Sequence, residues 1–200
     1  MKSLAATLAV CASALCVLPT AAQAAFKVVP GNPADKLSGL PIEAMKYDYA
    51  KRCLKKPQKG TLALQTWLQQ HAQGVSWGIM RCEKLGPTNY SLHSEGRAID
   101  WHLDAHDPAQ RAEAVRLIDL FLAPDKLGNP FALARRMGVQ GLIFNCRAWW
   151  GGPTLEPYSP CYDKKGKPVK IDDTTAHRNH VHIELNWAGA RMQTSFWKAR

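Results

Sequence analysis

Two short stretches of the chain concentrate side chains that ligate metals or move protons. The first reads Ser91-Leu92-His93-Ser94-Glu95-Gly96-Arg97-Ala98-Ile99-Asp100. His93 precedes a turn in which Gly96 can supply unusual backbone angles. Asp100 follows on a strand, so imidazole and carboxylate are expected to converge. The second reads His177-Arg178-Asn179-His180-Val181-His182-Ile183-Glu184. On a strand, His180, His182 and Glu184 share one face. Taken singly, the first stretch also fits a plain hydrogen-bonded His–Asp pair, and the second a surface strand with solvated histidines. Together they offer three protein ligands, His93, Asp100 and His182, and leave a fourth position for water. That is the open set of a catalytic zinc rather than the closed set of a structural one. Zinc in such a site makes its water more acidic and polarises a carbonyl, and a nearby base such as His180 takes the proton.

The elements that must position these groups follow from spacing. Residues 97–103 alternate, with Arg97, Ile99, Trp101 and Leu103 on one face and Ala98, Asp100 and His102 on the other. Strands are also expected at 75–82, 139–145 and 181–187. Helices are expected at 42–54, after Pro41, and at 61–72, where Leu62, Leu64, Leu68 and Ala72 recur before Gly74. A third begins after Asp107, with Pro108 at its first position. A short fourth begins after Asn129-Pro130 and stops at Gly138. Residues 151–175 are rich in turn signals. Helices and strands mix without a regular βαβ rhythm, which predicts an α+β fold with a small, mostly antiparallel sheet and flanking helices. His106 and Asp107 suit helix capping. Trp77, Trp101 and Trp187 are expected in the core. Trp149 and Trp150, beside Gly151-Gly152, could line a groove for sugar or peptide.

The N-terminus carries Lys2, an apolar run over 4–18 and Ala22-Gln23-Ala24. This is the pattern of a secretory signal peptide over 1–24, too short for a membrane span. Cys11 and Cys16 lie within it. Residues 25–41 read as an N-terminal arm and 42–200 as one domain. No later stretch suits a membrane span. Four cysteines remain, Cys53, Cys82, Cys146 and Cys161, and an even number in an exported chain favours two disulfides. Of three possible pairings, Cys53–Cys82 and Cys146–Cys161 each close a local loop. A four-cysteine zinc site lacks any CxxC pair. The formal net charge of +10 suits anionic envelope polymers as partners. No nucleic-acid motif is present, and a monomer is expected.

The pattern Ser-x-His-x6-Asp followed by His-x-His resembles the zinc peptidases grouped with lysostaphin, the D-alanyl-D-alanine metallopeptidases and the hedgehog signalling domain. Within that group it is most similar to secreted cell-wall proteins with a D-Ala-D-Ala-peptidase-like C-terminal domain. Arg81-Cys82, Met137-Gly138-Val139-Gln140, Ile143-Phe144-Asn145 and Asn179-His180-Val181-His182 extend the likeness over roughly 53–187. The resemblance implies a hedgehog/D-Ala-D-Ala-peptidase-like fold and one Zn2+ on His93, Asp100 and His182. It implies that His180 assists the water or stabilises the oxyanion. It implies peptidoglycan or other cell-wall peptides as substrate, in the periplasm or outside the cell. Arg81 would hold a substrate carboxylate, although a surface salt bridge explains it equally well, and Ser91 stands beside it as a substrate-binding residue. Asn145, His177 and Glu184 would support the site from behind, with Arg147 beside Asn145. One departure matters: the carboxypeptidases of the group carry an acid three positions before the last ligand, and here that position is Asn179. An amide takes no proton usefully at neutral pH. The expected activity is therefore endopeptidase rather than carboxypeptidase, with His180 as base and Glu184 or His177 in reserve. The alternative is a zinc domain that binds wall peptides without cleaving them. Hydrolysis of an ester or phosphodiester is a weaker third.

Overall fold

A computed structural model describes residues 29–199. The expected signal peptide, with Cys11 and Cys16, lies outside the described residues. The fold is α+β. Six strands, β1 (Val75–Gly78), β2 (Ala98–His102), β3 (Val139–Phe144), β4 (Arg147–Trp149), β5 (Glu156–Pro157) and β6 (His180–Leu185), form one sheet in the order β1-β2-β6-β3-β4-β5. Every pairing is antiparallel. The order threads the last strand between β2 and β3, so residues 78 to 86 positions apart in the chain become cross-strand neighbours of β2. Asp100 sits opposite His182, and His102 opposite His180.

Strand periodicity then divides the sheet. Ile99 and Trp101 of β2 and Val181, Ile183 and Leu185 of β6 belong to the hydrophobic core. They meet Leu64, Trp67 and Leu68 of α1 (Lys59–His71), Leu117 and Phe121 of α2 (Pro108–Leu122), and Leu133 of α3 (Ala132–Met137). The i, i+3, i+4 spacing of Leu64, Trp67 and Leu68 makes the buried stripe of α1. Asp107 caps α2, its carboxylate accepting from the amides of Ala109 and Gln110. The opposite sheet face carries Asp100, His102, His180, His182 and Glu184. Two short helices, α4 (Trp187–Ala190) and α5 (Ser195–Lys198), close the chain.

Several expectations are corrected. Residues 42–54 form no helix; they run without regular structure to an isolated bridge between Ala50 and Tyr90. Tertiary bonds hold them instead: the Asp48 amide donates to Gln140, and the Asp48 carbonyl accepts from Arg97. The strand expected to reach 82 ends at Gly78, where the register with β2 shifts. Trp187 opens α4 rather than ending β6. The described part of the arm is packed down, with Ala34 fully buried and the Asp35 carboxylate accepting from the Lys126 amide. The disulfides are Cys53–Cys82 and Cys146–Cys161, the expected pairing. Among the described residues no helix is long and apolar enough to cross a membrane.

Gly96 ends the short 3-10 turn Leu92–Glu95 in the left-handed region, at φ 65°. A Cβ there would sit 2.7 Å from Pro57 Cα and Met80 Sδ and 2.9 Å from the Lys56 carbonyl oxygen. Gly96→Ala therefore adds backbone strain to overpacking, together about 2–4 kcal/mol. Calorimetry should show the melting midpoint fall by about 5–15 °C; an unchanged midpoint would show that the turn adapts freely.

Candidate metal centre

The turn that carries His93 is built by its own sequence. The Ser91 hydroxyl accepts from the His93 amide, capping the 3-10 turn. Ser94 Oγ accepts from the Glu83 amide and donates toward the carbonyls of Arg81 and Glu83. Glu95 and Arg97, which flank Gly96, serve the scaffold. They form a buried ion pair at 2.7 Å, and Arg97 also donates to the Leu185 carbonyl and lies over the Trp187 ring. Each disulfide fastens one wall. Cys53–Cys82 ties the 42–58 segment to the loop of Arg81. Cys146–Cys161 ties down the two-residue turn Asn145-Cys146, whose amides donate to the carbonyls of His177 and Ala176.

Three ligand atoms meet on this frame. His93 Nε2 lies 3.0 Å from Asp100 Oδ1, His182 Nδ1 lies 2.8 Å from the same oxygen, and the two nitrogens are 3.1 Å apart. All three residues are buried, and their ligand atoms lie within 4.8 Å of one another. The outer ends of both rings fix their protons. His93 Nδ1 is 2.8 Å from the Ile79 carbonyl, which can only accept, so Nδ1 carries the hydrogen. Burial lowers the pKa of His93, which is therefore neutral at physiological pH. Its Nε2 lone pair faces the carboxylate with no proton between them. His182 Nε2 donates to Glu184 Oε1 at 3.0 Å, and Glu184 Oε2 accepts from the Tyr47 hydroxyl at 2.7 Å. This is the carboxylate support that orients a metal-ligating histidine.

Lone pairs crowded this closely repel unless a cation stands among them. Without a metal, a second proton on His182 serves: burial would lower its pKa, but hydrogen bonds to Asp100 and Glu184 raise it to about 9. A divalent ion fits the same donors. Bonds of ~2.0–2.2 Å set tetrahedral ligand atoms about 3.3–3.5 Å apart, so the cluster needs only slight opening. The group His93, Asp100 and His182 can hold a metal ion, and its two nitrogens and one oxygen suit zinc.

The other expected residues fall in three groups. His180 stands at the centre: its Nε2 is buried, lacks a hydrogen-bond partner and lies 3.5 Å from Asp100 Oδ1. Burial lowers its pKa to about 4. His177, whose ring centroid lies 4.7 Å from that of His180, falls to about 3 through burial and the neighbouring histidines. Arg81 binds the remaining oxygen of Asp100 at 2.5 Å and Glu83 at 3.0 Å, with its side chain half exposed in the groove. Burial by itself would raise the carboxyl pKa of Asp100, since it favours the neutral acid; the hydrogen bond from His182 and the charge on that ring outweigh it and hold the carboxyl far below the usual range. Ser91 lines the groove but is spent on its cap. Asn145 reaches the site only through its backbone bond to His177; with Arg147 it lines a separate hollow beside Arg111 and Ile118.

A groove of about 550 Å³ opens over the cluster, walled by Tyr47, Tyr49, Tyr90, Trp150 and Tyr158. Of the tryptophans expected to line it, Trp150 does and Trp149 is core. Trp77, expected in the core, is half exposed and stacks on His102 with centroids 4.2 Å apart. Tyr47 and Tyr49 do not stand out in the sequence because the helix expected at 42–54 scatters them over its surface. The alternation Tyr47-x-Tyr49 was the available signal for an extended segment. Gly141 leaves room for this arrangement, since a Cβ would lie 2.6 Å from Trp150 and 2.7 Å from Glu184 Oε2. No family model, curated protein or solved structure matches the chain.

Proposed function

We propose that the chain is an exported zinc metallopeptidase of hedgehog/D-Ala-D-Ala-peptidase-like fold that hydrolyses an amide bond in peptidoglycan peptides. The observation that carries the reading is the convergence of His93 Nε2, Asp100 Oδ1 and His182 Nδ1 beside the unpartnered Nε2 of His180. Bound zinc would supply Lewis acidity, polarising the scissile carbonyl and making the attacking water more acidic. The protein's own groups do the rest. His180 presents a neutral imidazole that can take a proton from the nucleophile and return it to the leaving amine. Glu184 and Tyr47 hold the His182 ring in place. Arg81 balances the Asp100 charge and turns its exposed side toward the groove, where it can meet a substrate carboxylate. Two disulfides suit an oxidising compartment outside the cytoplasm, and the basic surface suits anionic envelope polymers.

Purified sacculi digested with the zinc-loaded protein should release peptides identifiable by mass spectrometry. His180→Ala should keep about one equivalent of zinc and lose about 10²–10⁴ in rate. Release that persists in His182→Ala would sink the proposal. The second reading, a zinc domain that binds wall peptides without cutting them, is favoured by Asn179 at the position of the expected acid. It predicts wall affinity with no release from any variant.

A further inference from the structure

We propose that Asn179 is a positioning residue that sets the tautomer of His180, leaving the lone pair on Nε2. The inference deepens the hydrolytic reading of the site and rests on it for its catalytic meaning. His180 Nδ1 lies 2.7 Å from Asn179 Oδ1. The other end of that amide, Nδ2, donates to Thr174 Oγ1 at 3.0 Å. With the amide nitrogen engaged by the Thr174 hydroxyl, the amide oxygen is the end that faces the ring. An amide oxygen can only accept, so His180 carries its proton on Nδ1. The backbone of Asn179 is held as well. Its carbonyl lies 2.8 Å from His102 Nδ1, and the His102 ring is stacked beneath Trp77 at an interplanar angle of 11°.

The consequence appears at the far side of the imidazole. Nε2 is buried, has no hydrogen-bond partner and faces Asp100 Oδ1 at 3.5 Å. With the proton on Nδ1, Nε2 offers a lone pair to the nucleophile. With the amide turned over, Nδ2 would donate to a bare Nδ1 and drive the proton to Nε2. That N–H would point at the ligand cluster, useless as a base and repelled by a cation. The amide at 179 thus works through its neighbour: it orients the base and does not itself take the proton. Trp77 and His102, which the ligand set leaves unexplained, become the clamp on Asn179.

Long-range proton–nitrogen NMR of the ¹⁵N-labelled protein, metal-free and zinc-loaded, reads the tautomer directly and needs no turnover. Wild type should show His180 protonated on Nδ1 in both forms. Asn179→Leu, which removes the acceptor, should move the ring toward the Nε2-protonated form. Thr174→Val, which frees the amide to rotate, should give a mixture even if Asn179→Leu fails to fold. Asn179→Asp, which keeps the acceptor, should restore Nδ1 protonation. A wild-type ring protonated on Nε2 overturns the proposal, as does an Asn179→Leu ring that stays protonated on Nδ1. On soluble disaccharide peptides, Asn179→Leu should lower kcat by at least about tenfold with KM little changed, and Asn179→Asp should recover most of it. Were the wild-type protein to cut nothing while the spectra follow the expected series, the hydrolytic reading would fall and the tautomer assignment would stand.

Discussion

Asp100→Asn is expected to abolish metal binding and, separately, to weaken the metal-free fold. The Asp100 carboxylate is the only anion among the three ligands and the point at which four side chains meet. Its Oδ1 faces His93, His182 and His180, and its Oδ2 binds Arg81. An amide of the same shape removes the charge and turns one acceptor into a donor, which must face either the Arg81 guanidinium or the protonated Nδ1 of His182. Zinc affinity should fall by about 10³ or more, beyond the 10–100-fold typical of losing a supporting group behind a ligand. The metal-free protein should lose about 2–3 kcal/mol, because a buried charge has lost one partner. This is below the full cost of an orphaned ion, since Glu184 remains on the other side of His182. Metal content after dialysis against a chelator reads the first effect, and the melting midpoint without metal, lower by about 5–10 °C, reads the second. Retention of one equivalent of zinc by Asp100→Asn would remove Asp100 from the ligand set.

The same residues show how far the sequence carries. Asp100 and the β6 histidines were placed by strand periodicity alone, because alternation puts Asp100 opposite the core-facing Ile99 and Trp101, and His180, His182 and Glu184 opposite Val181 and Ile183. Periodicity says which face a residue takes but not which strands adjoin. That the last strand enters between β2 and β3 came only from the structure, and it is what brings His182 to Asp100. The segment 42–54, expected as a helix after Pro41, misled because its real partners, Gln140, Glu184 and Arg97, lie 49 or more residues away along the chain. Trp77 looked like core because it is large and apolar; stacked on His102 at the sheet edge, it covers a histidine instead. The turn Asn145-Cys146 hid a hairpin: both residues have positive φ, 47° and 60°, and only the asparagine advertises it.

Zinc affinity should rise about tenfold per pH unit across the neutral range and level off near pH 9. In the metal-free protein His182 holds two protons, and the one on Nδ1 occupies the direction a metal needs. With its pKa raised to about 9, that proton must leave before metal can bind, at every pH below 9. The other histidines of the cluster do not compete in this range. Burial lowers the pKa of His93, and His177 and His180 are lowered to about 3 and about 4. One proton is therefore exchanged for one metal ion, which predicts an increase of about 100-fold between pH 6 and pH 8. The stability of the metal-free protein should run the other way. A histidine raised from 6.5 to about 9 on folding contributes fully below pH 6.5, and that contribution is lost as pH climbs through 9. His177 and His180, lowered on folding, contribute above pH 6.5 and lose that contribution as pH falls toward 4 and 3, where the depressed Asp100 carboxyl adds its own loss below about pH 4. The metal-free fold should thus be most stable near pH 6.5, while the zinc-loaded fold holds its stability into the alkaline range because the metal has replaced the labile proton. Competition against a zinc chelator of known affinity, repeated at several pH values, measures the slope. A slope of two or three would mean that His93 or His180 is also charged before metal arrives. A slope of zero would mean that His182 is already neutral, and the cluster would not be the proton-for-metal exchange site that its converging lone pairs require.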